Sequence, residues 1–272
     1  MDTGDAFERR YHVLECERCH LRRPDVEPTA AELGRYYDGY GRYTDPTWLA
    51  NELERRRGPA LRLRRKLARE LAPEPLEGRF LEVGCASGGL LWNLARISNL
   101  DCYGLEPDPE SARIASERLP GRITNARLED AKYPANHFAA AYLEQVIEHV
   151  AETAALFREL WRILRPGGVV FMGTPNFRGF AARLLGVGWK ELMPSEHLRM
   201  FSPPSLRWHL VEAGFTDVRV ATGGLWLLDR RGRDRLPVRR DGLLARIVAR
   251  GLGTLKLGDN VSAIARKPRP PV

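Results

Sequence analysis

Between Leu81 and Gly89 the chain reads LEVGCASGG, a short apolar run that passes through glycines into the helical pattern LLWNLARI. Gly84 and Gly88 allow a backbone to come close to a ligand where any Cβ would collide. The amides at the start of the following helix can bind the ligand's polar groups. A turn of this kind joins a strand to a helix and points to a nucleotide-like ligand in an alternating β/α fold. The spacing is GxxxG with Ala86 at its middle, not the GxGxxG of dinucleotide-binding oxidoreductases. Glu82, at the end of the strand, would repel a pyrophosphate and suits an ammonium group.

The flanking pattern repeats the theme. Apolar runs at Arg79–Val83, Asp101–Leu105, near Ile123, Phe138–Leu143 and Val169–Gly173 read as strands. Helical patterns lie between them, the last from Glu152 to Leu164 and ending at RPGG. Strands alternating with helices mean βαβ units, a parallel sheet and helices on both faces. SPPSLRWHLVEAGF predicts a further helix, with Ser202 as its cap, Pro203 in the first turn and Gly214 as its stop. Asp217–Ala221 and Val261–Ala265 read as two last strands, and the basic stretch 225–259 between them has no assignable pattern.

The N-terminal part has a different texture. Residues 1–28 are polar and carry the pair Cys16 and Cys19; Thr29 and Glu32 form a capping box, and YYDGYGRY follows. Residues 46–71 predict a long basic helix with Leu49, Leu53, Ala60, Leu63, Leu67 and Leu71 near helical spacing, which Pro59 is expected to interrupt or restart. The division that results is a segment 1–72, with the CxxC pair and a helical lid, and a ligand-binding domain 73–272.

Composition narrows the class. No stretch nears the roughly 18–20 apolar residues of a membrane span, and the first residues lack the apolar run of a signal peptide. A cytoplasmic location is expected. Four cysteines in 272 residues are too sparse for a disulfide scaffold. The formal charge of +8 is carried by clusters such as Arg55, Arg56, Arg57, Arg62, Arg64, Arg65 and Lys66. They form either a solvated face or a surface for anionic partners.

Three further groups carry candidate chemistry. Glu106, at the end of the second strand and followed by Pro107, can accept both hydroxyls of a ribose. Leu128 and Glu129 fall where an adenine edge would lie. Gln145, Glu148 and His149 follow the fourth strand, at the carboxyl edge where such sheets bind ligands.

Taken as a set and in this order, LEVGCASG, YGLEPD, LED, EHV and LRPGG resemble the core of class I S-adenosylmethionine-dependent methyltransferases. The segments around TPNFRGF and PSEHLRMFSPPSL are similar to a bacterial subgroup that acts on small molecules or sugars in secondary or cell-surface metabolism. The resemblance implies a Rossmann-like sheet of seven strands, mostly parallel with an antiparallel last strand, plus the N-terminal helical lid. It implies S-adenosylmethionine as cofactor, with Glu82, Gly84 and Gly88 at the methionine end, Glu106 and Pro107 at the ribose, Leu128 and Glu129 beside adenine, and Gln145 near the methionine. Tyr36, with Tyr37, Tyr40 and Tyr43, would belong to the lid.

The chain departs from that pattern in places. Ala86 replaces the usual middle glycine, and Ala139 replaces an aspartate. One CxxC pair stands where zinc-ribbon relatives have two; His12 and His20 are the residues that could complete a site with Cys16 and Cys19. Ubiquinone-type O-methyltransferases place ExxEH, which can bind a divalent metal, where this chain has Gln145 before Glu148 and His149. With an amide in the first position, no metal is expected. LEQV after the fourth strand, rather than Asn-Pro-Pro-aromatic, argues against a nucleic-acid base as acceptor. The expected reaction is methyl transfer to a hydroxyl of a small molecule or sugar, an anionic one if the arginines of residues 55–66 meet it, with His149 or His197 as base; N- or C-methylation, or a catalytically silent cofactor-binding protein, are the alternatives.

Overall fold

The computed structural model describes residues 11–29, 31–33, 45–225 and 243–270. Tyr36, Tyr37, Tyr40 and Tyr43 lie outside these, so the lid they were expected to form is not described. Near the N-terminus β1 (Val13–Glu15) and β2 (Arg22–Pro24) make a small antiparallel hairpin whose turn holds Cys16 and Cys19. The Thr29–Glu32 capping box is formed, with Glu32 bonding the Thr29 backbone at 2.8 Å.

The body is a seven-stranded sheet. Its strands are β3 (Glu77–Val83), β4 (Asn99–Leu105), β5 (Ile123–Thr124), β6 (Phe138–Glu144), β7 (Leu164–Pro175), β8 (Thr216–Gly223) and β9 (Asn260–Arg266). They lie in the order β5-β4-β3-β6-β7-β9-β8. All pairings from β5 through β7 are parallel, while β9 is antiparallel to both β7 and β8. The seven strands and the antiparallel last strand are as expected.

Period-two alternation sends successive side chains to opposite layers. Leu81, Ala141, Leu143 and Val170 pack under α4 (Thr153–Ile163) and α6 (Pro203–Glu212), against Leu156, Phe157, Leu160, Leu206 and Leu210. Phe80, Cys102, Ala140 and Phe171 face the other layer, built from α1 (Pro46–Leu71), α2 (Gly89–Ile97) and α3 (Pro109–Arg118). Two short elements, α5 (Phe180–Leu185) and α7 (Leu243–Thr254), flank a smaller core around Trp189.

Helix α1 corrects the expectation at Pro59, which lies inside one continuous helix. Proline forfeits the bond to the carbonyl four residues back and crowds it. Here Ala60, Leu63, Leu67 and Leu71 keep one buried stripe against Leu90, Leu91 and Leu94 of α2, and that burial outweighs the local cost. The helix is built into the layer covering the sheet.

Candidate active site

The chain order reverses at β3, whose neighbours are β4 on one side and β6 on the other. Such a switch point opens a crevice beyond the carboxyl ends of those strands. The loops after β3, β4 and β6 carry most of the residues singled out above.

After β3 the backbone is left-handed at alternate residues, with φ of 72° at Gly84, 48° at Ala86 and 78° at Gly88. A Cβ on Gly84 would stand 2.6 Å from Val146 Cγ2. The amides of Gly84 and Cys85 donate to the Leu105 carbonyl at 2.8 and 2.9 Å. Glu106 completes the anchorage: Oε2 accepts from Ala86 N at 2.8 Å and Oε1 from Asp108 N at 3.0 Å. An ionised carboxylate has about four acceptor positions, so two remain. Pro107 is exposed beside it, and Asn125 donates to the carbonyls of both residues.

Glu82 is 7 % exposed, and its Oε2 has no hydrogen-bond partner among the described residues. Burial pushes its carboxyl up to about 8; Arg56 opposes the shift, and Glu52, Glu106 and Glu144 add to it. Arg56 also acts on Tyr142, whose hydroxyl donates to Glu144 at 3.2 Å. Of the basic cluster on α1, Arg56 is partly buried, whereas Arg55, Arg57, Arg62, Arg64, Arg65 and Lys66 are exposed. Leu128 is buried in the core and Glu129 is exposed.

Beyond β6, Gln145 is left-handed, with φ of 57°; its amide donates to the Gly173 carbonyl at 2.8 Å and its side chain to Asn260 at 3.3 Å. A 3-10 turn, Ile147–His149, follows. Glu148 within it is fully buried: Oε2 accepts from Thr174 Oγ1 at 2.8 Å and Oε1 has no partner among the described residues. Burial pushes this carboxyl up to about 8 as well.

The two candidate bases, 48 positions apart in the chain, meet here with ring centroids 4.9 Å apart. His149 Nδ1 lies 3.1 Å from the Glu196 carbonyl and His197 Nδ1 lies 2.6 Å from the Glu191 carbonyl. A carbonyl only accepts, so Nδ1 carries the proton in each ring and Nε2 is the basic nitrogen. Glu196 thus orients His149 through its backbone carbonyl. Burial holds His149 down at about 4, and burial together with the neighbouring His149 holds His197 at about 3, so both are neutral near pH 7. His197 is 3 % exposed and His149 is partly buried. The loop bearing His197 is pinned by Arg199, which bonds Glu27 at 2.7 Å, and by backbone pairing of Met200 with Arg22.

Ligand atoms of Glu148, His149 and His197 lie within 4.8 Å of one another and could hold a metal ion. Among the described residues, no third ligand joins Cys16 and Cys19 in such a group. His20 instead faces Glu15 at 3.2 Å.

Sequence reasoning passed over Glu52, Ser87 and Arg118, which meet behind the glycine turn. Their signal was faint: Glu52 is an acid lying eight residues, just over two helical turns, before Ala60 on the apolar stripe of α1.

A family model described as a methyltransferase domain matches residues 53–220. A ubiquinone biosynthesis O-methyltransferase of a Methylobacterium species is 31 % identical over 165 residues, which cover 56 % of this chain and 66 % of that protein. Phosphoethanolamine N-methyltransferase 1 of Triticum aestivum is 30 % identical over 152 residues, covering 52 % of this chain and 28 % of that one. The chain thus spans less than two thirds of the length of either. A crystal structure from Thermotoga maritima, described as an S-adenosylmethionine-dependent methyltransferase and possible histamine N-methyltransferase, shares the fold at a TM-score of 0.54 and 22 % identity, covering 87 % of this chain and 98 % of that one. With the sheet order, the glycine turn and the anchored Glu106 in place, the chain belongs to the methyltransferase-domain family and has the fold of class I S-adenosylmethionine-dependent methyltransferases.

Proposed function

We propose that this chain transfers a methyl group to a hydroxyl of a small molecule or sugar, with His149 taking the proton and His197 set behind it. The observation that carries this reading is the pair of neutral imidazoles at the carboxyl edge of β6, each oriented by a backbone carbonyl. A hydroxyl must lose its proton as it becomes a nucleophile, and His149 is unprotonated at neutral pH and can take it, as a weaker base than a free imidazole until the bound acceptor and cofactor change its surroundings. The Methylobacterium relative, named for O-methylation, supports the same direction.

The residues around the glycine turn fit S-adenosylmethionine. Glu82 offers an ammonium a buried oxygen that has no partner among the described residues, Glu106 has acceptor positions left for ribose hydroxyls, and Gly84 lets the turn pack closely against Val146. Gly88, Pro107, Leu128, Glu129 and Gln145 complete the proposed set, with Tyr36 from the lid segment. The cofactor, when bound, supplies a methyl group on a positively charged sulfur, an electrophile suited to in-line displacement. The chain's own task is to orient the acceptor, which can contribute about 7 kcal/mol or more, and to take its proton.

An acceptor screen across phenols, sugars and amines, phosphoethanolamine included, tests the reading by S-adenosylhomocysteine formation. Turnover with a hydroxyl acceptor that falls about 100-fold in H149A is the expected result. Turnover restricted to amines, or a hydroxyl reaction indifferent to both H149A and H197A, would overturn it. The proximity of Glu148, His149 and His197 favours one second reading, a divalent cation that binds the acceptor. Activity that EDTA abolishes and magnesium restores would establish it; the base reading expects activity to survive EDTA.

A further inference from the structure

Beside the glycine turn lies a buried cluster of Glu52, Ser87 and Arg118. Glu52, on the strongly basic helix α1, is 1 % exposed. Its Oε2 accepts from Ser87 Oγ at 2.7 Å and from Arg118 at the end of α3. Arg118 also donates to the Ser87 carbonyl at 2.7 Å. Across the first turn of α2, Asn93 donates to the Leu53 carbonyl at 2.8 Å and to the Gly89 carbonyl at 2.9 Å. Gly89 has room for nothing larger, since a Cβ there would collide with the Glu52 carboxylate.

Ser87 lies between the left-handed Ala86 and Gly88, and the cap position before α2 has no side-chain hydrogen bond of its own. The turn is therefore held at two successive residues. Glu106 holds it through the Ala86 amide, and Glu52 with Arg118 holds it through Ser87. We infer that Glu52 is a positioning residue for the cofactor: it acts through Ser87 and Arg118 to keep the glycine turn in its binding shape, and so makes α1 part of the binding apparatus. A paired charge with almost no exposure keeps its geometry strictly, because a misplaced partner leaves a buried charge uncompensated. This inference rests on the reading that the turn holds S-adenosylmethionine.

Calorimetric titration of the full chain with S-adenosylhomocysteine tests both, at a temperature where every variant is folded by circular dichroism. E52A should raise Kd about tenfold, equivalent to about 1.4 kcal/mol. E52Q keeps the shape and an acceptor oxygen; it should fold even where E52A does not, and raise Kd about threefold, or about 0.65 kcal/mol. L67A, which opens a cavity on the same helix away from the turn, should lower the melting temperature and leave Kd unchanged. A Kd in E52A and E52Q within the scatter of wild type, while E106A binds weakly, would overturn the inference and leave the cofactor reading intact. An equal weakening in L67A would also overturn it, by making the effect one of general loosening. An E106A variant that binds like wild type would overturn the cofactor reading, and this inference with it.

Discussion

Ala86 occupies a left-handed conformation that costs a residue with a Cβ roughly 1–2 kcal/mol. Ala86→Gly should therefore leave cofactor affinity unchanged and cost no stability, the relief of strain offsetting the freer unfolded chain. Gly84→Val combines a left-handed backbone with a collision against Val146, and should weaken S-adenosylhomocysteine binding at least tenfold by calorimetry. Glu148 offers a different test. Its carboxyl, held up to about 8 by burial, keeps a proton that the unfolded chain sheds above about 4.5. Stability from this group thus falls as pH rises between those values. Glu148→Gln removes the dependence, so by urea melts the variant should gain on wild type by up to about 1.4 kcal/mol per pH unit across that window. The two histidines have the opposite sign. Their values are depressed, so the stability they contribute is lost as pH falls below 6.5. Both were readable as candidates because histidines near a strand's carboxyl edge are few. That they share one spot was not readable, because Glu196 and Glu191 orient them with carbonyls, and every residue has one of those.

At the scale of elements, the strands were legible from their apolar runs, and the differences lie at their ends. β3 begins at Glu77 and β7 at Leu164, each earlier than the apolar run, because backbone pairing extends into polar and glycine-rich residues that hydrophobicity does not mark. Helix α1 shows the converse: Pro59 reads as a stop from local rules, and tertiary burial overrides them. Pro59→Ala restores a hydrogen bond at a partly buried position. It should raise the melting temperature, with a gain of up to about 3 kcal/mol set by how far the helix already relaxes around the ring. Leu67→Ala should cost about 2–5 kcal/mol, since its side chain is fully enclosed between α1 and the sheet. Glu52 was missed at this scale for a related reason. A helix read by its net charge hides its few acids, Glu52, Glu54 and Glu70, among arginines, and only the spacing from Glu52 to Ala60 and Leu63 betrays that Glu52 faces inward.

For the whole molecule, the charge of +8 is distributed so that one guanidinium of the α1 cluster, Arg56, reaches toward Glu82 and Tyr142 while the others meet solvent. An anionic acceptor drawn to that end of the sheet should show a KM that rises with salt, and R56A should flatten the dependence. No helix among the described residues is long and apolar enough to cross a membrane. The placement of β9 between β7 and β8 has a consequence for how the protein is made. A ribosome delivers β8 first, and at that moment the strand has no neighbour to receive it; β7, already in the sheet, shows an open row of amides and carbonyls. Only when the stretch ending at Arg266 emerges does the missing rung arrive and close both edges at once. Until then the partly formed sheet carries an adhesive flank, exposed to wrong pairing for as long as β9 is not in place.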